Sequence, residues 1–141
     1  EYGLQVDHAK CIDLLRESAD LGLPSALYQL GHYFNSGDMG LEKDEEEGLK
    51  CWKEAADGGD LLSRYNLGNA EENNGDSVAA MRHWRLSASG GQRKSIDALI
   101  CSFECGFLHH GDLAETLQAM YRARAEMKSD ERSEVIALLK E

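Results

Sequence analysis

Apolar residues recur along the chain at three- and four-residue intervals, the spacing of one helical face. Leu27, Leu30 and Phe34 set this pattern in an early segment. Alternating, strand-like runs are scarce. The pattern predicts an all-α protein with eight helices, over 8–21, 24–35, 44–57, 61–73, 77–89, 93–105, 113–127 and 130–140. Start signals agree with this map. Asp7, Asp76 and Asp112 can cap the first, fifth and seventh helices, and Ser129 the last. Asp44-x-x-Glu47 reads as a capping box, and its acidic run falls on a first turn, where the helix dipole favours negative charge. Pro24 follows the Gly22 stop, a place where proline opens a helix.

The helices come in repeated units. Leu15 to Gly22, Trp52 to Gly59 and Trp84 to Gly91 align on their last glycine, at offsets of 37 and 32 residues. Beyond the glycine, Ala26, Ser63 and Ser95 align, as do Leu30, Leu67 and Leu99. Tyr28 matches Tyr65, with Asp97 in the third copy, and Gly31 matches Gly68, with Ile100 there. Two helices per period in the thirties mean an α-solenoid. A glycine inside a helix costs about 1 kcal/mol relative to alanine, so its recurrence at one position predicts close backbone approach. Ala19, Ala56 and Ala88 are expected opposite Gly31 and Gly68. Trp52 and Trp84 are expected to be core anchors stacking one unit on the next.

Composition narrows the function. The chain has 141 residues and a net charge of −11, which suits one domain. Its 15 Lys and Arg residues do not gather into a run, so nucleic acid and anionic membrane surfaces are poor partners. No apolar stretch is long enough to cross a membrane, and no secretory signal opens the chain. Cys11, Cys51, Cys101 and Cys105 are irregularly spaced and read as reduced thiols of an intracellular, cytoplasmic or organellar protein. The start at Glu1 suggests a processed or excerpted form.

These units resemble the Sel-one-like repeat family, relatives of the tetratricopeptide repeats. Ala26, Leu30, Gly31 and Phe34, then Gly37, Gly40 and Asp44, then Trp52, Ala55, Ala56 and Gly59 match one complete unit of that pattern. Tyr65-Asn66-Leu67-Gly68 opens a second, whose loop is shortened at Asn74-Gly75-Asp76. The third departs at Ile100. The resemblance implies a right-handed α-solenoid of about three and a half helix pairs. It is read as one domain over 1–141: a partial unit at 8–22, units at 24–59, 61–91 and 93–128, and a capping helix at 129–140. The tail from Glu126 to Glu134 is similar to a diatom and algal subgroup, in which such repeats often follow a zinc-binding RING-type domain. The family implies scaffolding or adaptor work with no chemistry of its own. The alternatives are a structural subunit of a large, possibly organellar, assembly, or the substrate-recruiting part of a ubiquitin ligase. The chain opens mid-unit, so a neighbour is expected on the N-terminal end.

In such a solenoid the first helix of each unit lines a concave surface. Helical spacing places Ser25, Gln29, His32 and Ser36 away from the core, then Leu62, Asn66, Asn69 and Asn73, then Lys94, Ala98, Cys101 and Cys105. Gln29, His32, Leu62, Asn66, Asn69, Asn73, Lys94 and Cys101 are the expected contacts for a protein or peptide partner. This stripe is uncharged apart from Lys94, and its amides can bridge a peptide backbone. Cys101-x-x-x-Cys105-x-x-x-His109 has a metal-like spacing, but Gly106 is expected to end the helix before His109, and structural zinc wants four ligands. No phosphate loop is present, because Gly58-Gly59 and Gly90-Gly91 are helix ends. No catalytic residue, cofactor or metal is expected.

Overall fold

The computed structural model describes residues 7–138, with side chains as far as Glu126. Among the described residues there are seven helices and no strands. They are α1 (His8–Asp20), α2 (Pro24–Ser36), α3 (Glu45–Asp57), α4 (Leu61–Asn73), α5 (Ser77–Ser89), α6 (Arg93–Glu104) and α7 (His110–Leu138). α7 joins the two helices expected at 113–127 and 130–140. No glycine or proline lies between Asp112 and Leu138 to stop it, so Ser129 falls inside a helix instead of capping one.

Aspartates start most of these helices. The carboxylates of Asp7, Asp44, Asp60 and Asp76 each accept from the N–H three residues on, at 3.1, 3.0, 2.7 and 2.9 Å. Each satisfies a donor that the helix itself leaves without a partner. The box at Asp44 is one-sided. Its own N–H donates to the Phe34 carbonyl at 2.8 Å, and the Glu47 carboxylate pairs with Lys50. Asp112 lies in the first turn of α7 rather than before it, and its carboxylate turns to Arg85. The units end alike: Gly22, Gly59 and Gly91 have φ of 78°, 95° and 94°. Only glycine takes that conformation without steric cost, so the turn between successive units is set by this one residue.

The closest pairings are α2 with α3 and α4 with α5. Each is built on an indole set against a helix backbone. A Cβ added to Gly31 would lie 2.5 Å from Trp52 Cδ1, and one added to Gly68 would lie 2.5 Å from Trp84 Cδ1. The recurrent glycines therefore face tryptophans and not, as the sequence suggested, the alanines of the neighbouring helix. A flat indole reaches the backbone only where no side chain intervenes. Trp52 Nε1 donates to the Tyr28 carbonyl, and Trp84 Nε1 to Asn69 Oδ1, both at 3.2 Å. Ala56 and Ala88 are buried nearby. Trp52 also packs with Leu67 of the next unit, and Trp84 with Leu99. Each indole thus closes its own pair and seats the following one.

The third pair differs. Ile100 occupies the glycine position and is 38% exposed. α7 lies more against α5 than against α6. Arg85 of α5 holds it, with Nη1 to Asp112 at 3.3 Å, Nη2 to Glu115 at 3.5 Å, and Nε to Thr116 Oγ1 at 3.3 Å.

Small residues fill the aligned positions after each turn. Ala26, Ser63 and Ser95 are all buried. The hydroxyls of Ser63 and Ser95 find no hydrogen-bond partner among the described residues, whereas that of Ser87 donates to the Leu61 carbonyl at 2.7 Å. A buried polar atom without a partner carries a desolvation cost. Ser95→Ala, which restores the residue type found at Ala26, is expected to be neutral or stabilising by up to about 1 kcal/mol. Ser87→Ala is expected to be destabilising by about 1 kcal/mol. Denaturant melts of the two variants check this contrast.

Candidate functional site: an asparagine-lined face of α2 and α4

Asn66, Asn69 and Asn73 stand at i, i+3 and i+7 on α4 and share one face. They line a hollow of about 290 Å³ together with Asn35, Glu45 and Trp52. Asn35 sits on the last turn of α2. Its Nδ2 donates to the Gly31 carbonyl at 2.9 Å, and its amide rests against Gly48, where a Cβ would collide with it. Asn69 is anchored through its oxygen by the Trp84 indole. The amides of Asn66 and Asn73 form no hydrogen bond among the described residues. Asn66 is half-buried and Asn73 exposed. The hollow therefore offers amide donors and acceptors, some fixed and some free.

Gln29 and Leu62 line a second hollow, of about 420 Å³, with Ser25, Tyr28 and Asp60. The first hollow lies along the later turns of α4 and the second at its start. The remaining expected contacts fall elsewhere. His32 is exposed with its ring beside Tyr33. The Lys94 ammonium stands 6.0 Å over the Tyr65 ring. Cys101 is exposed on α6. Five of the eight expected residues thus gather in two hollows, and three do not.

Asn35, Glu45 and Asp60 were missed by sequence reasoning. Asn35 is one position out of phase with the stripe through His32 and Ser36. Glu45 falls in the acidic run assigned to a helix first turn, and Asp60 is a helix start that the sequence reading did not single out. Only the Gly48 that makes room for Asn35 was a usable signal, and its role needs the neighbouring helix to be in place.

The Cys51 and Cys101 thiols show no activation. Burial pushes the Cys51 thiol pKa up, and Glu47 and Glu54 add to this. The nearby Cys105 thiol raises that of Cys101 by charge repulsion and by hydrogen bonding. Burial, with the Arg64 charge, holds the His83 imidazole pKa below its usual value. No group of three or more His, Cys, Asp or Glu able to hold a metal ion occurs among the described residues. No helix among them is long and apolar enough to cross a membrane.

The Sel1 repeat family model matches residues 1–23 and 24–60. The second stretch contains Gly31, Asn35 and Trp52. No curated protein matches the chain. Sel1 repeats generally mediate protein–protein interaction. Residues 1–60 are thus similar to Sel1 repeats, and the described helices form an α-solenoid of stacked pairs.

Proposed function

We propose that this chain is a protein-binding scaffold or adaptor that seats an extended peptide segment of its partner along α4, without chemistry of its own. The observation that carries the reading is the free amides of Asn66 and Asn73 in the hollow beside the anchored amides of Asn35 and Asn69. A carboxamide carries both a donor and an acceptor, so it matches the N–H and C=O that an extended peptide presents. The double variant Asn66→Ala/Asn73→Ala tests this. It is expected to weaken partner binding about five- to thirtyfold, the loss of roughly one or two hydrogen bonds at ~1 kcal/mol each, with an unchanged melting temperature. Undiminished binding rejects the reading. Asn69 is a poorer probe, because removing it also strands the Trp84 N–H.

A neighbour on the N-terminal end is a second element of the proposal. Lys10, Cys11, Leu14, Leu15 and Ser18 of α1 line an apolar hollow of about 380 Å³, and Leu14 is 56% exposed. In the repeat register these residues correspond to Glu47, Gly48, Cys51, Trp52 and Ala55 of α3. All of those but Glu47 are buried, between α2 and α4. Leu14→Glu is expected to abolish an association seen by light scattering while leaving the helix content intact. Association that survives the change would place the neighbour elsewhere. The four free cysteines favour a reducing, intracellular location.

A further inference from the structure

The charge of −11 is not spread along the solenoid. Residues 1–76 hold 17 Asp and Glu against 6 Lys and Arg, whereas residues 77–141 hold 9 of each. The whole of the excess therefore lies with the first units, and both hollows of the α2–α4 face sit there. Each hollow has one carboxylate in its lining, Glu45 in one and Asp60 in the other, and neither is lined by Lys or Arg. Lys43 pairs with Glu45 at 2.7 Å, with both side chains largely exposed. Asp60 carries a helix cap through one oxygen, Oδ2.

We infer that the segment seated on this face is cationic: an extended stretch of about six residues bearing Lys or Arg at both ends. This rests on the peptide-binding reading above and adds the partner's chemistry. The length follows from α4. Its 13 residues rise about 20 Å at ~1.5 Å each, which an extended chain spans in about six residues at ~3.3 Å each. The amides pair with the segment's backbone and carry no charge preference. The carboxylates at the two ends, inside an acidic field, select the side chains. A cation at the Glu45 end displaces the exposed Lys43, which surface ion pairing holds only weakly. An acidic segment meets repulsion along the whole face. Long-range attraction of this sort also speeds encounter and weakens with salt.

The test is a display library of random octapeptides selected on the full chain, followed by titration of the enriched octapeptides. Two variants, Asn66→Ala/Asn73→Ala and Glu45→Gln/Asp60→Asn, are compared with the unchanged chain. Asn at position 60 keeps an oxygen for the helix cap, and thermal melts confirm that each variant is folded. The expected result is enrichment of Lys- and Arg-bearing octapeptides. Their affinity should fall in the amide variant, and by about three- to tenfold in the carboxylate variant or on raising salt from about 50 to 500 mM. Enriched octapeptides that are uncharged or acidic, yet lost with the amides, overturn the cationic assignment and leave the peptide site standing. Basic octapeptides indifferent to Glu45→Gln/Asp60→Asn overturn it as well. No enrichment, or enrichment indifferent to the amide variant, overturns both.

Discussion

Trp84→Ala is expected to destabilise the fold by about 3–5 kcal/mol, the usual range for truncating a buried Trp. The indole is 7% exposed and packs with Ala80, Ala88, Leu99 and Leu108, the central apolar cluster. Its removal opens a cavity beside Gly68, a residue with no side chain to fall into it. It also strips Asn69 Oδ1 of its donor. Because this indole closes α4 on α5 and seats α6, the loss reaches two interfaces. A denaturant melt of the variant should show a marked drop in midpoint. A stability within about 0.5 kcal/mol of the parent, as for an ordinary surface change, would mean that the indole is not what closes the pair.

The second large effect belongs to its partner. Gly68→Ala is expected to destabilise by up to about 2 kcal/mol, although alanine is the better helix former. The propensity gain is ~1 kcal/mol, and overpacking against a rigid ring outweighs it at ~1–3 kcal/mol or more. The added Cβ would meet Trp84 Cδ1 at 2.5 Å. Gly111→Ala is the control. That glycine is also helical, with nothing within 4 Å of an added Cβ, so the same substitution should be neutral or stabilising. In a double-mutant cycle, Trp84→Phe should relieve much of the Gly68→Ala cost, because the smaller ring withdraws from the backbone. Additive costs in that cycle would show that the clash is absorbed elsewhere.

Both effects were half visible in the sequence. The register placed Gly31 with Gly68 and Trp52 with Trp84, and the constancy of the two sets was plain. That they touch each other was not, because the glycine and the tryptophan of one unit lie 21 residues apart in the first case and 16 in the second. A period aligns equivalent positions; it does not say which positions meet across a helix pair. The helix starts at Asp7, Asp44 and Asp76 were legible because a cap is local chemistry. The seventh helix was misread for the converse reason. Asp112 and Ser129 look like caps in isolation, but α7 already starts at His110, ahead of Asp112, and no glycine or proline between Asp112 and Ser129 stops it. The asparagine face was legible on α4, where a single helix supplies Asn66, Asn69 and Asn73. It was illegible on α2, where Asn35 owes its place to the missing side chain of Gly48. Lys94 and Cys101 belong to the third unit, where the register itself weakens at Asp97 and Ile100.

The grip of Arg85 on α7 sets the two ends of the molecule apart in ionic terms. The first two pairs are closed by an indole on a bare backbone, a contact that dissolved ions do not weaken. The last helix is held to α5 through a guanidinium 38% exposed, facing Asp112 and Glu115 at 40% and 75%. Such pairs are screened at moderate ionic strength. The solenoid therefore has a seam that answers to its ionic surroundings at one end and a body that does not. Concentrated salt loosens the Arg85 contacts to α7, while the indole-closed pairs, and the α2–α4 face with them, are left as they are.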